Sequence, residues 1–337
     1  MRATPRRVLW LVLGGTATLA AALLLSLVVG VERIDLGRAL AEPSSNDGLI
    51  FWQTRLPRVW LASGVGAALA MAGLAFQALL RNPLADPYVL GISGGASVAG
   101  TLAIVAGFGA SALGGLALPL FAFLGAIGAT VLVLAIGRVN GRLVPEVALL
   151  AGVMCNALSS ALVVAIRLIA TPAQAHEALY WLTGTLASRV DTPRLVGLFG
   201  YSLLAAVILL RNARSLNALL QGGDVAHTLG VDVPRLRRTI FLCGSLLTGV
   251  AVACAGPIGF VGILVPHVLR ALFGPDHRLL VPATALGGAL FALLADTLAR
   301  LTFLWLGTEP TAGVITALAG APFFLYALRN REGQRAW

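Results

Sequence analysis

Apolar residues fall in long blocks along this chain, separated by short clusters of arginine, proline, glycine and acidic residues. Nine blocks cover residues 9–31, 59–80, 88–108, 113–136, 148–169, 195–210, 239–255, 279–304 and 311–328. With a rise of about 1.5 Å per helical residue, such stretches are expected to be helices crossing a hydrocarbon layer about 30 Å thick. A tenth block, residues 261–273, has only 13 residues and is too short to cross. GPIGFVG precedes it and FGP follows it, so the pattern predicts a half-helix lining a cavity, where broken backbone is tolerated in a bilayer. The expected class is an all-α polytopic membrane protein with about ten transmembrane helices, the half-helix included. Residues 1–337 read as a single transmembrane domain, because only 32–55 and 211–238 are long enough to fold outside the apolar layer.

Composition narrows the chemistry. Apolar residues make up 58% of the chain and charged ones 11%, against about 25% charged in a soluble domain. Lysine is absent and all 24 basic residues are arginine, which excludes a P-loop lysine and a Schiff-base lysine. If ATP drives this protein, another chain hydrolyses it. The net charge of +10 has no soluble basic domain to carry it, so no nucleic-acid partner is expected. Cys155, Cys243 and Cys254 lie scattered in apolar runs, a pattern of neither disulfides nor metal ligands. The first block has 23 residues, longer than the ~7–15 of a signal-peptide core, and is read as a retained span.

Arginine asymmetry sets the orientation. With the N-terminus inside and each segment reversing the side, 16 of the 24 arginines fall inside and eight outside. Both termini are then cytoplasmic.

Catalytic signatures are weak. His176, His227, His267 and His277 are far apart, and none belongs to a ligand pair such as HExxH. GISGGASVAG, residues 91–100, lacks the lysine of a nucleotide loop, and its small residues suit close helix packing in lipid. Asn156, Ser160, Val163 and Arg167 recur at spacings of four, three and four, and so share one helix face. Two readings stay open for this stripe: a polar path ending in a cation near the outer mouth, or helix packing with Arg167 reaching the headgroups. Outside the loops the only carboxylate is Asp296, beside Arg300 near a helix end. That counts against an ion-coupled secondary transporter, and an intramembrane enzyme would need activity from this chain alone.

The run RLPRVWLASGVGAALAMAGLAFQALLRNPLADPYVLGISGGA, residues 55–95, resembles the FecCD family, the permease subunits of type II ABC importers for ferric siderophores, haem and vitamin B12. The likeness continues through HEALYWLTGTL, LNALLQGGDVAHTLGV, GPIGFVGILVPHVLR, GPDHRLLVPATALGGALFALLADTLAR and PTAGVITALAGAPFFLYALR, in family order. One departure is Thr311 with Ala312, where the family commonly has leucine and proline. The resemblance implies a ten-helix subunit of the bacterial inner membrane, paired as a homodimer with the translocation path at its axis. Two cytoplasmic ATPase subunits would use ATP and Mg, a periplasmic binding protein would deliver the ligand, and no cofactor would be bound permanently.

Residue roles follow from the same resemblance. Asp224, Ala226 and Gly230, within the cytoplasmic segment 211–238, match the motif that couples to the ATPase. Asn82 and Leu84, with Val144 and Pro145, match the cytoplasmic gate. Arg55, Arg58 and Arg300 match arginines that meet acidic residues of the binding protein, with snorkelling or an Arg300–Asp296 pair as the plainer explanation. Arg167, doubled by symmetry, would suit an anionic ligand, and His176 lies just beyond it. On that ground haem is expected first, a siderophore second and cobalamin third.

Overall fold

The computed structural model describes residues 4–108, 115–187 and 190–329. Helix α1 spans Pro5–Val28, with proline in its first turn and the Thr4 side chain accepting from the Arg7 amide. Two short helices, α2 (Leu36–Ala41) and α3 (Asn46–Leu49), follow. A π-helical turn, Ile50–Arg55, then carries the chain directly into α4 (Leu56–Leu79). The block at 88–108 is not one helix. Asp86 caps a 3-10 turn at Pro87–Leu90, Gly91 turns the backbone to φ +79°, and only then does α5 (Ile92–Val105) begin.

Helix α6 (Ala117–Ile136) descends to a hairpin, β1 (Arg138–Val139) paired with β2 (Arg142–Leu143). Its Asn140–Gly141 loop has φ of 51° and 77°, the two positive angles a tight hairpin turn needs. From there run α7 (Pro145–Leu168), α8 (Pro172–Leu182) and α9 (Thr192–Arg211). Two short helices, α10 (Ala213–Leu220) and α11 (Gly223–Thr228), lead to α12 (Val233–Ala255). The chain closes with α13 (Val261–Phe273), α14 (His277–Leu306) and α15 (Ala312–Arg329). Among the described residues seven helices are long and apolar enough to cross a membrane, and α5, α13 and residues 312–325 of α15 are shorter apolar helices. The 13-residue block is a separate helix between two glycine-rich breaks, with the bounds the sequence pattern predicts.

The core is built around α4. Its apolar window is 89% buried, whereas that of α1 is only 11% buried, so α4 runs through the interior and α1 along the edge. Helices α9, α12, α13 and α14 surround α4. Backbone meets backbone where α4 crosses α14: a Cβ on Gly66 would strike the Gly288 carbonyl, and one on Gly288 would strike that of Gly66. Apolar tails surround helices in lipid anyway, so association rests on such close packing rather than on hydrophobic transfer.

Helix α13 contains Pro266, which has no N–H to give the Gly262 carbonyl four residues back. A carbonyl left bare in a bilayer costs several kcal/mol. Gln77 of α4 supplies the missing donor, its Nε2 lying 3.2 Å from Gly262 O, while Arg270 Nη1 donates to Gln77 Oε1 at 2.8 Å.

Candidate functional site

Midway along α7, a cavity of about 550 Å³ opens between this helix and the 3-10 turn with α5. Tyr88, Ser93, Ser97, Asn156, Ser160 and Val163 stand in its wall. The close approach of the two elements requires glycine: a Cβ on Gly91 would lie 2.8 Å from that of Cys155, and one on Gly94 would lie 2.6 Å from Asn156 Oδ1. The small residues of 91–100 therefore serve packing, as their composition suggests.

Polar groups at this depth hold the broken segments together. Asn156 Nδ2 donates to Tyr88 O at 2.7 Å, fixing the turn to α7. The Tyr88 hydroxyl accepts from the Ile258 amide at 2.8 Å and lies 3.0 Å from the Ile258 carbonyl, which it meets as donor. One side chain thus satisfies both backbone groups of a residue in the unwound link between α12 and α13. Ser160 Oγ donates back to Asn156 O at 2.9 Å, so its hydroxyl is engaged within α7. Three of the five residues expected along the path, Asn156, Ser160 and Val163, share the cavity wall; Arg167 and His176 are not part of it. Arg167 is half-buried with its Nε unbonded, and His176 is exposed on α8.

The outer end, as arginine asymmetry assigns it, carries Arg55, Arg58 and Arg300 together, but turned inward. Arg58 pairs with Asp296 at 2.7 Å and also with Glu309 of the α14–α15 connection. Arg300 pairs with Asp296 at 3.3 Å and donates to the Ser26 and Val29 carbonyls at 3.1 Å each. Arg55 donates to Leu27 O at 2.8 Å, Val28 O at 2.9 Å and Glu32 O. The last carbonyls of α1 have no intrahelical donor, and two guanidinium groups fill that need at the negative end of the helix dipole. In the single chain Arg55 is 5% exposed and Arg300 6%, and Arg58 is the one of the three that stays partly open. Asp296 is fully buried between two arginines, Arg58 and Arg300.

At the inner end, α10 buries Ala213, Leu216 and Leu219, and α11 buries Ala226, while Asp224 and Gly230 are exposed. Gly230 has φ +81° and closes α11: its amide donates to His227 O at 2.9 Å and that of Val231 to Ala226 O at 3.0 Å, the paired bonds of a Schellman cap. Its backbone conformation alone therefore calls for glycine. Asn217 of α10 grips the turn into α14, donating to Asp276 Oδ1 at 2.9 Å and accepting from the His277 amide at 2.9 Å. The expected gate residues belong to two turns. Asn82 Oδ1 accepts from the Leu84 amide at 3.0 Å, and Val144 follows the hairpin with Pro145 opening α7.

Gln77, Tyr88 and Asn217 were not singled out by the sequence pattern. A buried-helix glutamine two residues before the α4 terminus, facing a proline-broken helix, is the one signal that could have marked Gln77. Among the described residues no three His, Cys, Asp or Glu side chains gather as a metal site.

The model of the FecCD transport family matches residues 18–330. A cobalamin import system permease protein of Halobacterium salinarum is 44% identical over 282 residues, covering 82% of this chain and 73% of the relative. A hemin transport system permease protein of Yersinia pestis is 39% identical over 302 residues, 89% of each chain. Among solved structures, an ABC transporter assigned to the metal-chelate type, in an inward-facing conformation, superposes with a TM-score of 0.81 at 33% identity, covering 96% of this chain and 99% of that one.

Proposed function

The chain belongs to the FecCD transport family, and from that premise we propose that it works as the membrane-spanning permease of an ATP-driven importer in the inner (plasma) membrane. Two copies face each other through α7, ten segments each, with both termini cytoplasmic. Supporting this pairing, Val153, Ser160 and Val164 on the cavity-lining face of α7 are exposed in the single chain. The cavity on that face, doubled across the axis, forms the translocation path. Asn82, Leu84, Val144 and Pro145 lie at its cytoplasmic end as the gate.

Two ATPase subunits bind the exposed surface of α11 around Asp224 and Gly230, with Ala226 anchoring that helix to the permease. Their motion reaches the path through Asn217. It pulls on Asp276 and His277, hence on α13, whose far end Tyr88 ties to Asn156. A periplasmic binding protein seats on the outer end, where Arg58 offers the contact and Arg55 and Arg300 hold α1 in place beneath it.

The cargo is a metal chelate recognised through neutral polar groups, of the cobalamin kind. One observation carries this choice: the cavity wall is lined by a tyrosine, serines and an asparagine but no arginine. The case for haem rested on Arg167 as a cation for carboxylates, and Arg167 stands outside the cavity. Haem remains the second reading, favoured by the similarity to the hemin permease. The assembled importer, given binding protein charged with cobalamin, haem or a ferric siderophore, should show uptake and the greatest ATPase stimulation with cobalamin. Stimulation by haem alone would replace the first reading with the second.

A further inference from the structure

A second cavity, about 790 Å³, lies at the cytoplasmic end of the bundle where α9, α10 and the start of α12 meet. Arg211 ends α9, Arg214 opens α10 and Arg235 stands in the first turn of α12, and all three line it. One carboxylate, Asp232, shares the wall, and its Oδ1 is occupied by the Arg235 amide at 3.1 Å. Among the described residues none of the three arginine side chains enters an ion pair. Three cations from three elements therefore converge on one space against a single carboxylate, which leaves an excess of positive charge.

The rest of the wall mixes apolar residues, Ile208, Ala218, Leu229, Val231 and Leu236, with the polar Asn212, Ser215 and Thr239. Ile208 comes from the last turn of α9, and Leu236 and Thr239 from the second turn of α12, so the floor belongs to membrane-crossing helices. Below it the apolar surface continues along the same helices, with Val207 and Leu242 both 38% exposed. A basic rim at the ends of α9 and α12, above a floor that includes Ile208 and Leu236, suits one kind of molecule. A soluble ATPase reaches the rim but not the floor, and a free anion needs no apolar wall.

We propose that this cavity binds an anionic phospholipid of the inner leaflet, its phosphate held by Arg211, Arg214 and Arg235 and its acyl chains laid along α9 and α12. Basic pockets between transmembrane helices on the cytoplasmic side suit such headgroups, each arginine near the surface contributing to the attraction. Gly230 and Val231 also line the cavity, so the lipid lies against the cap of α11 and holds the short helices to the membrane surface.

The test uses the complete importer, purified in mild detergent from membranes containing phosphatidylglycerol and phosphatidylethanolamine. Native mass spectrometry should show phosphatidylglycerol retained at least about tenfold over phosphatidylethanolamine. Arg211→Gln with Arg214→Gln and Arg235→Gln should abolish that preference, while Arg138→Gln with Arg238→Gln, exposed and outside the cavity, should preserve it. All five side chains are solvent-exposed, so the melting temperature of each variant should match the parent and report correct folding. Unchanged preference in the triple variant, or equal loss in the control, would overturn the site in favour of a diffuse field. Displacement of the lipid by millimolar inorganic phosphate would assign the rim to a free anion. Retention by the isolated permease but not the assembled importer would assign it to the ATPase. None of these readouts depends on which chelate is carried.

Discussion

Arginines gather at both ends of the bundle, and the two groups are treated in opposite ways. At the outer end Arg55 and Arg300 are buried, Arg58 nearly so, and every guanidinium faces a carboxylate or the last carbonyls of α1. At the inner end Arg211, Arg214 and Arg235 are exposed around an open cavity. The same residue type is a strut in one place and a free cation in the other. Arginine is disfavoured outside by the positive-inside rule. Where it persists there, this fold neutralises it with Asp296 and Glu309 and uses its donors on a helix end. Inside, where arginine is tolerated, it stays available. Burial of a charge is sustainable only with partners, and removing one partner leaves the full desolvation penalty behind.

Reversing the outer struts should break the comparison most severely. Arg58→Glu with Arg300→Glu sets two carboxylates beside Asp296 and Glu309, and should cost more than about 5 kcal/mol, leaving little folded protein by size-exclusion and thermal unfolding. A well-folded double variant that merely binds its periplasmic partner more slowly would restore the view of these residues as surface docking cations. A smaller effect is expected in the middle of the bundle. Gln77→Leu removes the donor to the Gly262 carbonyl and one acceptor from Arg270, a loss of about 1–3 kcal/mol for the unsatisfied carbonyl. Uptake should fall more than basal ATPase activity, since α13 is the element loosened. The smallest effect belongs to the inner set: Arg214→Gln should shift stability by no more than about 0.5 kcal/mol in thermal unfolding, because its side chain is exposed and unpaired. A destabilisation comparable to that of Gln77→Leu would erase the distinction between the two ends.

The hydrophobic pattern alone located the long helices, the half-helix at Val261–Phe273 and the arginine asymmetry, because a segment surrounded by lipid must be apolar over the whole bilayer thickness and so announces itself locally. It also placed Arg55, Arg58 and Arg300 at one end. What these arginines do was decided elsewhere in the chain. Asp296 and Glu309 are 238 and 251 residues from Arg58, and the α1 carbonyls carry no side-chain signature at all. The break at Gly91 was hidden for the same reason, since residues 88–108 are apolar whether or not the helix is continuous. Tyr88, Gln77 and Asn217 acquire their roles only from the unwound link, the proline-freed carbonyl and the interhelical turn packed against them. Arg167 fits the polar stripe by spacing, yet the cavity ends before it, at Val163 and Val164. Periodicity follows from the solvent a helix meets along its own length, whereas hydrogen-bond partners within a bilayer come from whichever distant segment the tertiary packing brings alongside.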